Sequence, residues 1–177
     1  MQYLATVNFA QTVDHMRSEP MRGFVAITPA VYAQAAKTEG HVASAFPVDE
    51  RTDLSFFERD WGRWGPFTVP HYYVGGRGID SVFEASALSV WRDIKALHSF
   101  VYAGLHLRAI RRKAAWFSPM TFPGYAMWWC TEWPTWSEGA RRLEHLVDNS
   151  DSPFSFTFRR LFDPTGNSIK LSAIAEH

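Results

Sequence analysis

Segments with the period of a β-strand alternate with segments with the period of an α-helix along the chain, and this order constrains the fold most. The apolar pattern predicts five strands and three helices. The strands are predicted over residues 2–10, 41–48, 82–91, 125–132 and 154–162. The helices are predicted over residues 20–39, 94–113 and 134–147, and Pro29 is expected to kink or split the first of them.

This order predicts an α+β fold. Two strand–helix–strand units in succession are typical of the ferredoxin-like split β-α-β plan, in which helices cover one face of an antiparallel sheet. The other face of such a sheet is left uncovered. The order therefore also predicts a homodimer that forms sheet to sheet.

The composition excludes several classes of function. The 177 residues are 46% hydrophobic and 20% charged, which predicts one packed domain over residues 1–177. Eighteen basic side chains balance 18 acidic ones, so a nucleic-acid partner is not expected. The longest apolar runs are far shorter than the roughly 20 residues that cross a bilayer. With one cysteine, Cys130, and no visible signal peptide, the expected location is the cytoplasm.

Aromatic residues are unusually frequent, at 16% of the chain, and residues 49–80 concentrate them among glycines and prolines. Glycine and proline at this density oppose long regular elements, whereas the aromatic residues oppose a solvated linker. The stretch is therefore predicted to be a compact insertion with two possible roles. It could form a lid or pocket wall, in which Trp61 and Trp64 would contact a substrate, or an elaborated hairpin packed on the core.

Three side chains that could act in catalysis lie in the predicted helix over residues 94–113. His98, Tyr102 and His106 lie four residues apart and would form one stripe along that helix. A histidine that faces a cavity can act as an acid or base near neutral pH, or bind iron through a neutral ring nitrogen. The same histidines could equally be core residues. Sequence motifs for phosphate loops, paired metal-binding histidines and nucleophile elbows are missing, and no metal site is predicted.

Other residues near this helix have two readings each. Arg111 and Arg112 belong to a basic cluster that could hold a carboxylate or could be a solvated helix end. Trp128 and Trp129 are neighbours in a predicted strand, so their indoles must point to opposite faces of the sheet. One of them would line a cavity if that face encloses one.

Two stretches of the chain resemble the family called domain of unknown function 3291. The first stretch contains Ser89-Val90-Trp91, Phe100-Val101-Tyr102, His106, Arg111-Arg112 and Trp116-Phe117. The second contains Trp128-Trp129, Pro134-Thr135 and the closing run from Phe154 to Phe158. The resemblance covers residues 86–158 and, more loosely, the first strand, and residues 49–80 look like an insertion relative to the family.

Proteins of that family resemble the dimeric α/β-barrel superfamily, which includes antibiotic-biosynthesis monooxygenases, haem-degrading oxygenases and small cyclases or isomerases. The resemblance implies a homodimeric enzyme with its cavity between sheet and helices and a small hydrophobic substrate, aromatic or polyketide-like. It implies a cofactor-independent monooxygenase, or a cyclase or isomerase of natural-product metabolism. His106 would be the base, with Tyr102 to orient the substrate and His98 as a further candidate. The implied walls are Trp91, Phe100, Trp116 and Trp128.

Two other functions remain open from the sequence. In haem-binding members of the superfamily the iron ligand is a histidine on the helix after the third strand. A haem would then take His106 as its axial ligand, with Arg111 and Arg112 near the propionates. The second alternative is a ligand-binding dimer without catalysis. A cofactor is not expected for the monooxygenase, cyclase or isomerase, or for the ligand-binding dimer.

Overall fold

A four-stranded antiparallel sheet organises this computed structural model, which describes residues 2–51, 55–77 and 84–172. Its strands, in the order β2-β3-β1-β4 across the sheet, are β1 (Tyr3–Gln11), β2 (His41–Ser44), β3 (Glu84–Trp91) and β4 (Tyr125–Cys130). Helix α1 (Arg22–Lys37) joins β1 to β2, and α2 (Ile94–Val101) and α3 (Gly104–Arg112) join β3 to β4. Each connection skips one strand, and neighbouring strands are antiparallel. The ferredoxin-like split β-α-β plan is therefore confirmed.

The two faces of the sheet pack into separate apolar clusters. On the first face, Ala5, Val7 and Phe9 of β1 are at most 4% exposed. They are flanked by the residues of β3 and β4 that share their side of the ladder, which are Leu88, Val90, Ala126 and Trp128. On the second face, Leu4, Trp91 and Met127 belong to the other cluster. Trp128 and Trp129 point to opposite faces, as predicted.

Helices pack against both faces rather than one. Helix α4 (Trp136–Asn149) lies close on the first face, where a Cβ added to Gly139 would come within 3.2 Å of the Val7 side chain. Helix α2 packs Leu97 and Phe100 against the second face. Beyond α2 the second face stays open, because Thr6, Ala87 and Ser89 are half-buried and Asn8 is exposed.

The helix predicted over residues 94–113 is two helices, and the break lies at Gly104. This residue has a φ of +51°, a left-handed conformation that ends one helix and begins the next. Gln34 of α1 holds the junction with its side-chain amide. Its Nε2 donates to the Ala103 carbonyl at 3.2 Å, and its Oε1 accepts from the Leu105 N–H at 2.6 Å.

The helix boundaries agree with the local capping signals. The Asp93 carboxylate accepts a hydrogen bond from the Ala96 N–H at 2.8 Å, so it is the N-cap of α2. The Thr135 hydroxyl caps α4 in the same way by accepting from the Glu138 N–H. Pro29 does not split α1, which runs unbroken from Arg22 to Lys37.

The strand predicted over residues 154–162 is wrong. Phe156 forms an isolated bridge to Met127 of β4, with turns on either side that close between Ser152 and Ser155 and between Thr157 and Arg160. These turns prevent a continuous strand. The last two predicted residues form β5 (Leu161–Phe162), which pairs with β6 (Ser168–Ile169) outside the main sheet. Within the described part of the chain, none of the helices has the length and apolar character needed to span a membrane.

Candidate functional site

The aromatic segment, residues 55–77, packs on the first face of the sheet. The Phe9 ring meets those of Tyr72 and Tyr73 edge to face, each at 5.9 Å between centroids. Trp61 meets Trp136 of α4 at 4.9 Å, and Trp61 and Trp64 are both 5% exposed. These residues of the segment therefore pack on the core, which is one of the two roles that the sequence left open.

The same segment also closes one side of a cavity of about 170 Å³. Helix α1 and the residues that follow β2 form the other sides. We call this space the aromatic cavity. Its lining residues are Tyr32, Ala45, Phe46, Pro47, Ser55, Phe56, Arg59 and Trp61.

The walls of the aromatic cavity are rings fixed by one another. Tyr32 and Phe46 lie with their ring centroids 4.8 Å apart. Phe56 and Trp61 are stacked, with an interplanar angle of 18° and a centroid separation of 5.5 Å. The Trp61 Nε1 donates to the Phe56 carbonyl at 3.0 Å, so its polar atom is used within the wall. The surface that these rings offer to a ligand is therefore apolar.

Arg59 carries a charge into this wall, and Asp49 neutralises it. The Arg59 side chain is only 8% exposed. Its Nε lies 3.0 and 3.1 Å from the two Asp49 oxygens, and its Nη2 lies 2.7 Å from Asp49 Oδ1. Nη2 also donates to the Arg51 carbonyl at 2.7 Å. The hydrogen bonds from Arg59 hold the pKa of the Asp49 carboxyl well below its usual range, so the pair is ionised at neutral pH.

Tyr32 brings a neutral hydroxyl to the cavity. Burial raises the pKa of Tyr32 to about 12, because the charged phenolate would lose its hydration there. Among residues 2–51, 55–77 and 84–172, none forms a hydrogen bond with its hydroxyl. The hydroxyl can both donate and accept a hydrogen bond, so it can bind a ligand oxygen.

His106 lies at the start of α3, outside the aromatic cavity. Its Nδ1 is 3.0 Å from the Val101 carbonyl, which can only accept, so Nδ1 carries the proton and Nε2 is left with a lone pair. Burial lowers the pKa of His106, and the hydrogen bond to Val101 opposes part of that effect. The ring packs on Phe100 at 4.5 Å. A neutral imidazole of this kind could accept a proton, but His106 lines neither the aromatic cavity nor a second cavity beside the end of α4.

The predicted stripe of three side chains is divided by the helix break. His98 and Tyr102 stay together, with ring centroids 4.5 Å apart, and both contact Phe158. Tyr102 is 47% exposed. Burial lowers the pKa of His98 as well. The prediction of one continuous stripe is therefore wrong, because Gly104 redirects the chain before His106.

The predicted substrate walls are spread over both clusters. Trp91 and Phe100 stack on each other in the cluster of the second face, at 5.1 Å. Trp116, Trp128 and Trp64 belong to the cluster of the first face. Of the six predicted wall residues, only Trp61 lines the aromatic cavity. Sequence reasoning missed Tyr32, Phe46 and Arg59. The charged residues Asp49 and Arg59, which pair within an aromatic stretch, were a signal that could have identified Arg59.

The described residues around His106 give no support for a haem. A second cavity, of about 450 Å³, is formed by the loop after α3 and the end of α4, and none of the predicted histidines lines it. Arg111 is exposed, and the Arg112 guanidinium lies over the Trp116 ring at 5.3 Å. In the described ranges, no three His, Cys, Asp or Glu side chains are grouped closely enough to hold a metal ion.

Comparison with known proteins identifies one family. The family model described as "Domain of unknown function (DUF3291)" matches residues 3–172. None of the curated proteins matches the chain.

Two solved structures are similar at low identity. One is a mutant of SnoaB, a cofactor-independent oxygenase from Streptomyces nogalater, with 15% identity, coverage of 75% of this chain and 95% of that chain, and a TM-score of 0.39. The other is NE2512, a protein of unknown function from Nitrosomonas europaea, with 9% identity, coverage of 76% and 97%, and a TM-score of 0.41. Likenesses this distant carry no argument about activity.

Proposed function

The chain belongs to the DUF3291 family, and from that premise we propose that it is an enzyme that binds a small hydrophobic ring compound in the aromatic cavity and acts on it without a cofactor. The observation that carries the proposal is the cavity itself. An apolar pocket with a few converging polar groups is the usual form of a small-molecule site. Here the polar groups are the Tyr32 hydroxyl, the paired Arg59 and the Ser55 hydroxyl, which donates to the Phe57 carbonyl.

The reaction that these groups support best is a cyclisation or isomerisation through an oxygen of the substrate. The Tyr32 hydroxyl would donate a hydrogen bond to a carbonyl or phenolic oxygen, and this bond strengthens as negative charge develops there. The ring walls would hold the substrate in one conformation beside the Tyr32 hydroxyl. Arg59, held by Asp49, would be a fixed polar part of the wall and would not move during the reaction.

The cofactor-independent monooxygenase is the less supported alternative. That chemistry needs a base beside the substrate to deprotonate a phenol, so that its carbanion can reduce O₂. The described lining residues include no imidazole and no carboxylate. His106 could serve as such a base only for a substrate bound elsewhere.

Ligand binding by the aromatic cavity is tested with toluene and p-cresol as probes. At ten times its dissociation constant, a ligand stabilises the fold by about 1.4 kcal/mol. In a protein of this size that corresponds to a rise in Tm of roughly 3–6 °C. Ala45→Leu should abolish the rise, since Ala45 is buried in the cavity wall. The exposed Ala33→Leu in α1 is the matched control and should retain it. No rise with either probe at millimolar concentration would refute the proposed site.

We also propose that the protein forms a homodimer through the second face of the sheet. The support is the open part of that face, where Thr6, Ala87 and Ser89 are half-buried and Asn8 is exposed within one chain. A second copy laid on this region would cover backbone and side chains that α2 leaves uncovered.

A further inference from the structure

We infer that the aromatic cavity selects an uncharged, single-ring compound that carries a hydrogen-bonding oxygen, and that Tyr32 is the residue that recognises this oxygen. The inference rests on the proposed function, because it names the class of substrate for the same cavity. It adds the charge of the ligand, the size of the ligand and the side chain that determines specificity, which is Tyr32.

The preference for an uncharged ligand follows from the charges around the cavity. Asp49 already neutralises Arg59 through three short contacts between its carboxylate oxygens and the guanidinium nitrogens. The Arg51 carbonyl accepts a further hydrogen bond from Nη2 of the same guanidinium. The bidentate edge that usually binds a ligand carboxylate is therefore occupied from within the chain. A carboxylate that entered the cavity would lose its hydration without gaining an unpaired cation.

The preference for an oxygen follows from Tyr32. Its hydroxyl is neutral at physiological pH and has no partner among the described residues. A site with a polar group to satisfy rejects ligands that leave this group unpaired, because the desolvated hydroxyl then loses its hydrogen bond to water. A phenol, a quinone or an aryl ketone meets this requirement, whereas a plain hydrocarbon does not.

The preference for one ring follows from size and shape. The volume of about 170 Å³ is below the range of roughly 300–1,000 Å³ that is typical of sites for drug-sized ligands. Phe46, Phe56 and Trp61 present flat apolar surfaces, against which an aromatic ring packs edge to face or offset.

The experiment measures the binding of four probes by titration calorimetry or by ligand-observed NMR at pH 7. The probes are toluene, p-cresol, 4-methylanisole and 4-methylbenzoate, which share one methylated ring and differ in the polar group. They are titrated into the wild-type protein, Tyr32→Phe and Tyr3→Phe. Tyr3 lies in β1 outside the cavity, so Tyr3→Phe is the control for removal of a tyrosine hydroxyl.

For the wild type we expect p-cresol to bind roughly 3- to 10-fold more tightly than toluene, the gain of one net hydrogen bond. We expect 4-methylbenzoate to bind more weakly than toluene. Tyr32→Phe should bring p-cresol to the affinity of toluene and leave the affinity for toluene unchanged, whereas Tyr3→Phe should resemble the wild type.

Two results would overturn the inference and leave the proposed cavity standing: 4-methylbenzoate that binds as tightly as p-cresol, or a preference for p-cresol that survives Tyr32→Phe. If Tyr32→Phe fails to fold, the wild type still decides the matter. Equal affinities for toluene, 4-methylanisole and p-cresol would contradict recognition of an oxygen. Failure of toluene and p-cresol alike to bind would refute the proposed function itself.

Discussion

Replacement of Gly104 by alanine tests how the junction between α2 and α3 is held. Alanine at this position must adopt a φ near +51°, which costs about 1–2 kcal/mol for a residue with a Cβ. The new Cβ would also lie 2.6 Å from the Gln34 Oε1 and displace that side chain. Gln34 would then lose its hydrogen bonds to Ala103 and Leu105, each worth about 0.5–1.5 kcal/mol.

The sum predicts that Gly104→Ala lowers the free energy of unfolding by about 2–5 kcal/mol. Urea unfolding followed by circular dichroism measures this change, and the Tm should fall by roughly 5–15 °C. The two contributions are separated in a Gln34→Ala background, where the hydrogen bonds are already absent. There Gly104→Ala should cost only the conformational part, about 1–2 kcal/mol.

Gly23→Ala is the matched control. Gly23 lies near the start of α1, where a Cβ would meet the Trp116 ring at an ordinary 3.4 Å and φ is not positive. This substitution should be neutral or stabilise the protein by up to about 1 kcal/mol. If Gly104→Ala lowered the free energy of unfolding equally in the wild type and in Gln34→Ala, the Gln34 hydrogen bonds would not stabilise this junction. If it cost less than about 0.5 kcal/mol, the left-handed conformation would not constrain this junction.

Two further predictions concern pH and assembly. Because burial lowers the pKa of His106, the unfolded chain binds its proton more readily than the folded protein, and stability is lost as the pH falls below about 6.5. His106→Gln should therefore make the free energy of unfolding less dependent on pH between 7 and 5. His41 and His98, whose pKa values are also lowered by burial, contribute a pH dependence of the same sign. A pH dependence that His106→Gln leaves unchanged in urea titrations would contradict this prediction. Light scattering should give twice the mass of one chain for the wild type and a single-chain mass for Asn8→Lys on the second face, and a monomeric wild type would refute the dimer.

The topology could be predicted from the sequence because each element depends on local periodicity. The alternation along β1 and β4 and the cap at Asp93 need only a few neighbouring residues. The order of the elements then leaves few antiparallel arrangements. Where local signals conflicted, the prediction failed. Residues 154–162 alternate like a strand, but hydrogen-bonded turns on both sides of Phe156 interrupt it.

The candidate site could not be predicted because distant parts of the chain form it. Tyr32 comes from a helix, Phe46 from the residues that follow β2 and Trp61 from the aromatic segment, and no spacing connects the three. The break at Gly104 depends similarly on Gln34, which is about seventy residues earlier in the chain. Consequently the three side chains aligned on a single helical wheel do not remain aligned in the fold.

The double role of the aromatic segment has a consequence for how the protein could evolve. Trp61 contributes to the wall of the cavity and, through Trp136, to the core on the first face. A substitution that reshapes the wall for a new substrate would therefore also change the free energy of folding. Selection for a new specificity would then depend on compensating substitutions in α4 or β1. Changes at Tyr32, which is half-buried, or at Phe46, which is exposed, would be tolerated first.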